Sequence, residues 1–528
     1  MTRLDALVGA QAARTPDAVA IVHGDRRLTY RQLDEDANRV ANALLAGGLR
    51  PGGRVCVLVP KSPEIIVYLL GVLRAGGVCV PLDAASPARR LASVAGQVGP
   101  CVLLADTARA ALAADVLAAV PADVVTLLFV PDGTATADVP VLDEAALSAA
   151  STKDPQAPAD ESGVAYLLFT SGSTGEPKGV QLTHDGIGHF IRWARDHFGI
   201  AADDRISCHL QMHFDGSLLD VYGALTCGAE LHLVPASASL TPTALVEFLR
   251  SSRVTQLASV PSVLSAIARY DVLAQDDLPD LRRLIWGGEV FPPDDAAYWV
   301  RRLPHVSFTG VYGTTEATIA SCFHTVTEPP VEPLPMGVAI PGEDLAVVDQ
   351  DLVPLPEGEI GEVVIGGAGV TPGYWRSPER TARAFFERAG RRYYRTGDLG
   401  RIGDDGLLRF HGRADRQVKI SGYRVELDDL MTALHSVPEV AAALAVTTPG
   451  SRGELEICVA YVPAVDGLTV PALRTALARR LPAYMVPRRW LVLDALPVNA
   501  NGKTDLVEVQ RRFAADEDRV VALERSGS

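Results

Sequence analysis

From residue 52 onward, short β-branched runs alternate with amphipathic stretches, the pattern of βαβ units wound around a largely parallel sheet. Val55–Val59 reads as a strand, Pro63–Ala75 as a helix stopped by Gly76-Gly77, and Val78–Leu82 as the next strand. The rhythm recurs at Ile206–Leu210, Ser217–Thr226 and Leu231–Val234, then at Thr255–Val260, Ser262–Tyr270 and Leu281–Ile285. Ala, Asp, Ser, Thr and Pro dominate between Pro131 and Gly163, which reads as surface connection. After about residue 411 the texture changes. Gln417–Ile420 and Tyr423–Leu427 alternate like a two-stranded ribbon around Ser421-Gly422, and Asp428 is placed to cap a short helix. Strand-like runs at Glu456–Val462 and Trp490–Leu493 surround a helix at Val470–Leu481. The expected fold class is α/β: a large N-terminal domain of α/β subdomains with mainly parallel sheets, then a small α+β C-terminal domain, divided near Gly412–Arg416.

Composition narrows the function. With 528 residues, 48% of them hydrophobic, the chain has material for more than one core. A net charge of −15 argues against a nucleic-acid partner, because phosphate backbones are bound by basic faces. The seven cysteines are scattered, odd in number and form no CxxC, as expected of reduced thiols in the cytoplasm. No basic-then-apolar leader is seen, and Leu103–Val130 is interrupted by Asp106, Arg109, Asp115, Pro121 and Asp123, so no membrane association is expected. Of 49 basic residues only Lys61, Lys153, Lys178, Lys419 and Lys503 are lysines. Lys61 and Lys153 read as surface residues.

Tyr166–Thr170 reads as a strand running into Ser171-Gly172-Ser173-Thr174-Gly175-Glu176-Pro177-Lys178. Small residues let backbone N–H groups approach a polyphosphate, hydroxyls add donors, and the lysine adds a mobile cation. The pattern GxxxxGK[ST] is absent, so this is not a Walker loop. An ordinary flexible turn is the bland alternative.

Thr170–Gly179 resembles the signature of the adenylate-forming superfamily, which groups acyl-CoA synthetases, luciferases and peptide synthetase adenylation domains. Further segments in the expected order strengthen the resemblance to a free-standing nonribosomal peptide synthetase amino-acid adenylation domain. They are Leu28–Leu33, Leu73–Asp83, Phe214-Asp-Gly-Ser217, Gly361–Gly366 with Gly373-Tyr-Trp375, Tyr394–Leu399, Gly412–Gly422, Leu481–Pro487 and Asn501-Gly-Lys503. The resemblance spans roughly residues 10 to 505. It implies ATP and Mg²⁺ as cofactors and attack of a carboxylate on the α-phosphorus, giving an acyl-AMP and pyrophosphate.

By that resemblance, nucleotide contacts fall on Thr170, Ser171, Gly172, Ser173, Thr174, Gly175 and Lys178, and on Gly287, Gly288 and Glu289. They continue through Gly310, Val311, Tyr312, Gly313, Thr314 and Thr315 to Asp398, Arg413 and Lys503. Lys503 bridges carboxylate and nucleotide, Tyr312 stacks on adenine, Thr315 touches the α-phosphate and Glu316 holds the metal; Lys503, Thr315 and Glu316 are the catalytic set. The family usually has Asn at the position of Gly310 and Pro at that of Thr314. Asp415 resembles a hinge, within 413–416, between a domain of residues 1–412 and a mobile domain of 417–528. Rotation would withdraw Lys503 and bring up the Lys419 ribbon.

Asp215 resembles the carboxylate that pairs with a substrate ammonium, although capping the following helix would also suit it. Asp215, Gly216, Leu219, Ala258, Ile285, Gly287, Val311, Ile319, Ala320 and Lys503 then line the pocket. Between its charged ends that set has no polar side chain, which favours a neutral apolar amino acid. Asp220, five positions on, raises a β-amino acid as an alternative, but a structural or capping role is expected for it. An acyl-CoA ligase for non-amino acids is the remaining alternative. A phosphopantetheinylated carrier protein in trans is the expected acceptor, because the chain runs only 25 residues past Lys503 without a carrier motif. Arg479, Arg480, Arg488 and Arg489 are expected to dock it.

Overall fold

The computed structural model describes residues 3–133, 139–158, 160–172, 176–450, 455–465, 467–497, 505–515 and 520–522. The chain divides into two units. The first comprises Met1–Ala84, Ala95–Phe169 and Gly179–Ala414; the second comprises Ala85–Val94, Thr170–Lys178 and Asp415–Ser528.

The first unit is built on three sheets. One has nine strands among the described residues, and its parallel centre carries the candidate site. In chain order the elements that matter are β1 (Arg205–Cys208), α1 (Ser217–Leu225), β2 (Gln256–Ser259), β3 (Arg283–Gly287), β4 (Ser307–Tyr312) and β5 (Cys322–Val326). β1 to β4 run parallel side by side, and β5 returns antiparallel on β4. β2 and β3 are buried along nearly their whole length, the mark of strands covered on both faces. A second, largely parallel sheet joins Arg54–Leu58, Val78–Pro81 and Cys101–Ala105, and Val164–Thr170 lies beyond Val78–Pro81. The strand–helix–strand readings at residues 55–82, 206–234 and 255–285 therefore match to within a few residues.

Two features differ from the sequence reading. The Pro131–Gly163 stretch, expected as surface connection, contains the edge strand Val141–Leu142 and the helix Glu144–Ala149, whose N-cap Asp143 accepts from the Ala146 N–H at 2.8 Å. A third sheet is antiparallel: Glu343–Val348, Gly361–Gly367, Phe385–Arg388, β6 (Arg391–Ile402) and Leu408–Arg413. Arginines at 391, 392, 395 and 401 mask the alternation of β6.

In the second unit, Gln417–Ile420 pairs antiparallel with Tyr423–Glu426 around Ser421-Gly422, as expected. The helix that follows starts at Leu427, so Asp428 lies in its first turn instead of capping it; its carboxylate pairs with Arg416 at 3.2 Å. Val440–Pro449, Leu455–Pro463 and Arg489–Val492 form the main sheet. Its core centres on Trp490, which meets Tyr461 edge-on at 6.0 Å and donates its indole N–H to the Pro487 carbonyl at 3.0 Å. Emptying that site would cost about 3–5 kcal/mol.

Candidate active site

Strand alternation sorts the predicted residues of the first unit onto two faces. Across the parallel ladder Ala258 pairs with Ile285, Ser259 with Trp286, Trp286 with Gly310 and Gly287 with Val311. Side chains alternate along a strand, so Ala258, Ile285, Gly287 and Val311 share one face. Trp286, Gly310 and Tyr312 share the other. Leu219, Ala258, Ile285 and Ala320 all belong to the extended apolar core that runs through much of this unit, with Val311 and Ile319 packed against it. The ladder itself sets Ala258 beside Ile285 and Gly287 beside Val311.

Asp215 and Gly216 stand at the head of α1, the helix that carries Leu219. Asp215 is half-buried, and its Oδ1 accepts from the Gly216 N–H at 2.8 Å. The N-cap position of α1 is Gly216, and Asp215 stands one residue before it.

The turn after β4 is tight. A Cβ at Gly313 would lie 2.4 Å from Ala320 Cα, so only glycine fits that close approach. Thr318 and Ile319 follow with φ of 53° and 75°. A β-branched residue there stores strain of order 1 kcal/mol, a feature that gathers at functional sites. The Thr318 hydroxyl holds the turn by donating to the Gly369 carbonyl at 2.6 Å. Val311 to Thr315 are half-buried, and the Thr314 hydroxyl is buried without a hydrogen-bond partner. An unsatisfied hydroxyl on such a strip suits a phosphate oxygen.

Glu316, in the turn Thr315–Ala317, is fully buried, and Tyr374 donates its phenol to Oε1 at 2.7 Å. Among the described residues no three His, Cys, Asp or Glu side chains gather as a metal cage. One carboxylate fits magnesium, which takes most of its ligands from water and substrate phosphates.

Asp398 lies in β6 and is 3% exposed. Tyr312 donates to its Oδ2 at 2.6 Å, and Arg413 donates to its Oδ1 and, at 3.1 Å, to the Thr396 carbonyl. Burial and the Asp398 charge push the Tyr312 phenol well above its usual range. A carboxylate offers about four lone-pair sites, so lone pairs remain for sugar hydroxyls. Gly288 turns with φ of 89°, and Glu289 accepts from the Ser262 N–H at 2.9 Å at the start of the helix Pro261–Arg269.

Beneath α1 lies a group that departs from the sequence expectation. Lys61 is not a surface residue; it is half-buried, with Nζ donating to the carbonyls of Cys208 at 3.1 Å and His209 at 2.5 Å. Burial lowers its ammonium pKa. Asp220 is fully buried and caps nothing; neither carboxylate oxygen meets hydrogen-bond geometry, and Lys61 and the His209 N–H act on it at longer range. Burial drives its pKa well up. Burial and the Lys61 charge bring His209 down to about 4, and its ring bonds Ser259 Oγ at 3.2 Å. The scarcity of lysine is the one sequence signal that points to Lys61.

In the second unit, Thr170 has a buried hydroxyl without a partner, and the Ser171 hydroxyl donates to the Arg424 carbonyl at 2.6 Å. Gly172 is buried and Lys178 half-buried at the start of Lys178–Thr183. Asp415 is the unit's first residue after Ala414 and accepts from the Gln417 N–H at 3.1 Å. Ser173, Thr174, Gly175 and Lys503 lie outside the described residues.

Residues 8–375 match the family described as AMP-binding enzyme, and residues 432–503 match the AMP-binding enzyme C-terminal domain. The chain belongs to the AMP-binding enzyme family, and the resemblance read from its motifs holds over nearly its whole length. It is therefore an enzyme, an adenylate-forming ligase. The chain is 36% identical over 516 residues to the L-proline--[L-prolyl-carrier protein] ligase of Streptomyces coelicolor, covering 95% of this chain and 94% of that ligase. Tyrocidine synthase 2 of Brevibacillus parabrevis is 33% identical over 95% of this chain, which spans only 13% of that synthase. Among solved structures, the amide bond synthetase McbA from Marinactinospora thermotolerans superposes with a TM-score of 0.86 at 26% identity, over 97% of this chain and all of that one. Among the described residues no helix is long and apolar enough to cross a membrane.

Proposed function

We propose that the protein activates a neutral, apolar amino acid as its aminoacyl-AMP and passes the aminoacyl group to the phosphopantetheine thiol of a carrier protein in trans. The observation that carries this reading is Asp215, a half-buried carboxylate at the head of α1, the helix whose Leu219 belongs to the same extended apolar core as Ala258, Ile285 and Ala320. An ammonium offsets such a charge, and apolar walls disfavour polar side chains. The carrier ligase relative supports the choice of acceptor.

The substrate carboxylate oxygen attacks the α-phosphorus, the bond from that phosphorus to the α,β-bridging oxygen breaks, and pyrophosphate leaves with that oxygen. Lys503 and Lys178 offset the anionic charge, Thr315 positions the α-phosphate, and the Tyr312–Asp398–Arg413 group holds base and ribose. Glu316 would hold Mg²⁺, whose charge would offset that of the phosphates. In the second half-reaction the thiol replaces AMP at the acyl carbon. The segment at Asp415 serves as the hinge between the half-reactions, and the enzyme acts in the cytoplasm.

Amino-acid-dependent pyrophosphate exchange over α-amino, β-amino, hydroxy and aryl acids tests the reading, with wild type beside Lys503→Ala and Asp215→Ala. Exchange is expected with apolar α-amino acids, and loss of at least about a hundredfold in either variant. Full exchange by Lys503→Ala, or turnover restricted to acids without an amine, would contradict it. A second reading, a β-amino acid substrate, is favoured by one observation: the buried, unpaired carboxylate of Asp220 beside Leu219. Exchange lost in Asp220→Asn for β-amino acids alone would establish that reading.

A further inference from the structure

Trp286 and Gly310 are register partners on β3 and β4. A Cβ added at Gly310 would lie 3.0 Å from the indole Cε2 and Cζ2 and 3.1 Å from Nε1. The indole thus fills the space into which any side chain at 310 would project. Alternation puts it on the face shared with Tyr312, away from Ile285 and Val311.

The indole N–H is also available. Trp286 is 6% exposed and packs against Phe291 with ring centroids 5.3 Å apart. Trp299, Trp375 and Trp490 each donate their N–H to a backbone carbonyl, at 3.0, 3.2 and 3.0 Å. Among the described residues nothing accepts from Trp286 Nε1, and that nitrogen is not one of the buried polar atoms without a partner, so the N–H is open to an incoming acceptor although the ring around it is buried.

We propose that Trp286 reads the edge of the nucleotide base, donating its indole N–H to a ring nitrogen of adenine. The proposal rests on the reading of Tyr312 as the residue that stacks on that base. Indole is donor-only, so it selects an acceptor nitrogen and cannot serve the exocyclic amine. The glycine at 310 is then the condition for this arrangement, because a side chain there would displace the ring.

The test is equilibrium binding of ATP and of 1-deaza-, 3-deaza- and 7-deaza-ATP to the full chain, wild type and Trp286→Phe. Wild type should bind one deaza analogue about fivefold more weakly than ATP, the size of one neutral hydrogen bond. Trp286→Phe should bind ATP about fivefold more weakly and no longer distinguish that analogue, with the amino-acid KM in exchange unchanged. If Trp286→Phe does not fold, the wild-type series still decides. In Trp286→Ala, adding Gly310→Asn should recover ATP affinity, since the asparagine then has room. Equal binding of all three analogues by wild type, or discrimination that survives in Trp286→Phe, overturns the proposal. Absence of any ATP binding by wild type would instead defeat the nucleotide reading on which it rests.

Discussion

Tyr312 donates its phenolic O–H to Asp398 at 2.6 Å, tying the end of β4 to the middle of β6, while Arg413 donates to the other oxygen of the same carboxylate. The three side chains form one charge-assisted group, and each orients the others. A ligand touching Tyr312 therefore meets a ring whose tilt is set by Asp398.

Tyr312→Phe keeps the stacking ring and removes this bond to a charged acceptor. The expected cost is about 1.5–3 kcal/mol of stability together with a raised KM for ATP. Asp398→Ala should raise the ATP KM further and leave the amino-acid KM near wild type. Thermal melting beside exchange kinetics with each substrate varied separately checks this; equal changes in both KM values would mean a general disruption.

Lys61→Met should destabilise the protein by about 1–3 kcal/mol, because the His209 carbonyl loses the Lys61 ammonium and the Cys208 carbonyl is left with only the Val234 N–H, while the methionine stem still fills the space. Those carbonyls end β1, and the chain runs from there to Asp215, so the amino-acid KM should rise more than that for ATP. Denaturant unfolding and exchange kinetics read both effects, and a melting point equal to wild type would contradict the inward placement of Lys61.

Asp220 makes a pH prediction with a definite sign. Its folded pKa is raised well above the ordinary aspartate value by burial, with Lys61 opposing. A raised folded pKa means that the native state holds a proton the unfolded chain releases. The associated stability is fully present below the unfolded pKa, about 3.9, and is lost as pH rises toward the folded value. Asp220→Asn should therefore melt higher than wild type at neutral pH, and the gain should vanish near pH 4. His209, lowered to about 4 by burial and Lys61, runs the other way, with stability lost as pH falls from about 6.5. A neutral-pH melting point unchanged by Asp220→Asn would mean that its carboxylate carries no burial penalty.

The alternating runs at Val55–Leu82 and Ile206–Val234 are legible in the sequence because parallel strands and their helices carry long apolar signatures. Ala258, Ile285 and Val311 fall on one face of the parallel ladder, a relation that only the strand register makes visible. What escapes depends on partners distant in sequence. Lys61 looks exposed until its ammonium is seen against Cys208 and His209, and nothing near Asp220 announces that its oxygens lack partners. Trp286 is one aromatic among many until register sets it against Gly310. Asp428 has the residue type of a cap, but the helix begins a residue earlier and Arg416 takes the carboxylate.

The arginine cluster proposed to dock an acidic carrier protein is divided by the structure. Arg489 packs over Phe513 with 5.6 Å to the ring centroid and donates to the Phe513 carbonyl at 2.6 Å, so its reversal would harm the fold. Arg488 is exposed and lies 3.8 Å from Glu456, and Arg479 is exposed at the end of the helix Val470–Ala478. These two can be reversed without opening a core. Exposed charges steer association more than they hold a complex, so Arg479→Glu/Arg488→Glu should slow transfer to the carrier about tenfold at low salt and less at high salt. Pyrophosphate exchange should stay at the wild-type rate, because neither residue belongs to the adenylation machinery. Single-turnover transfer measured at two ionic strengths decides it: a salt-independent or absent effect would remove this face from the docking surface.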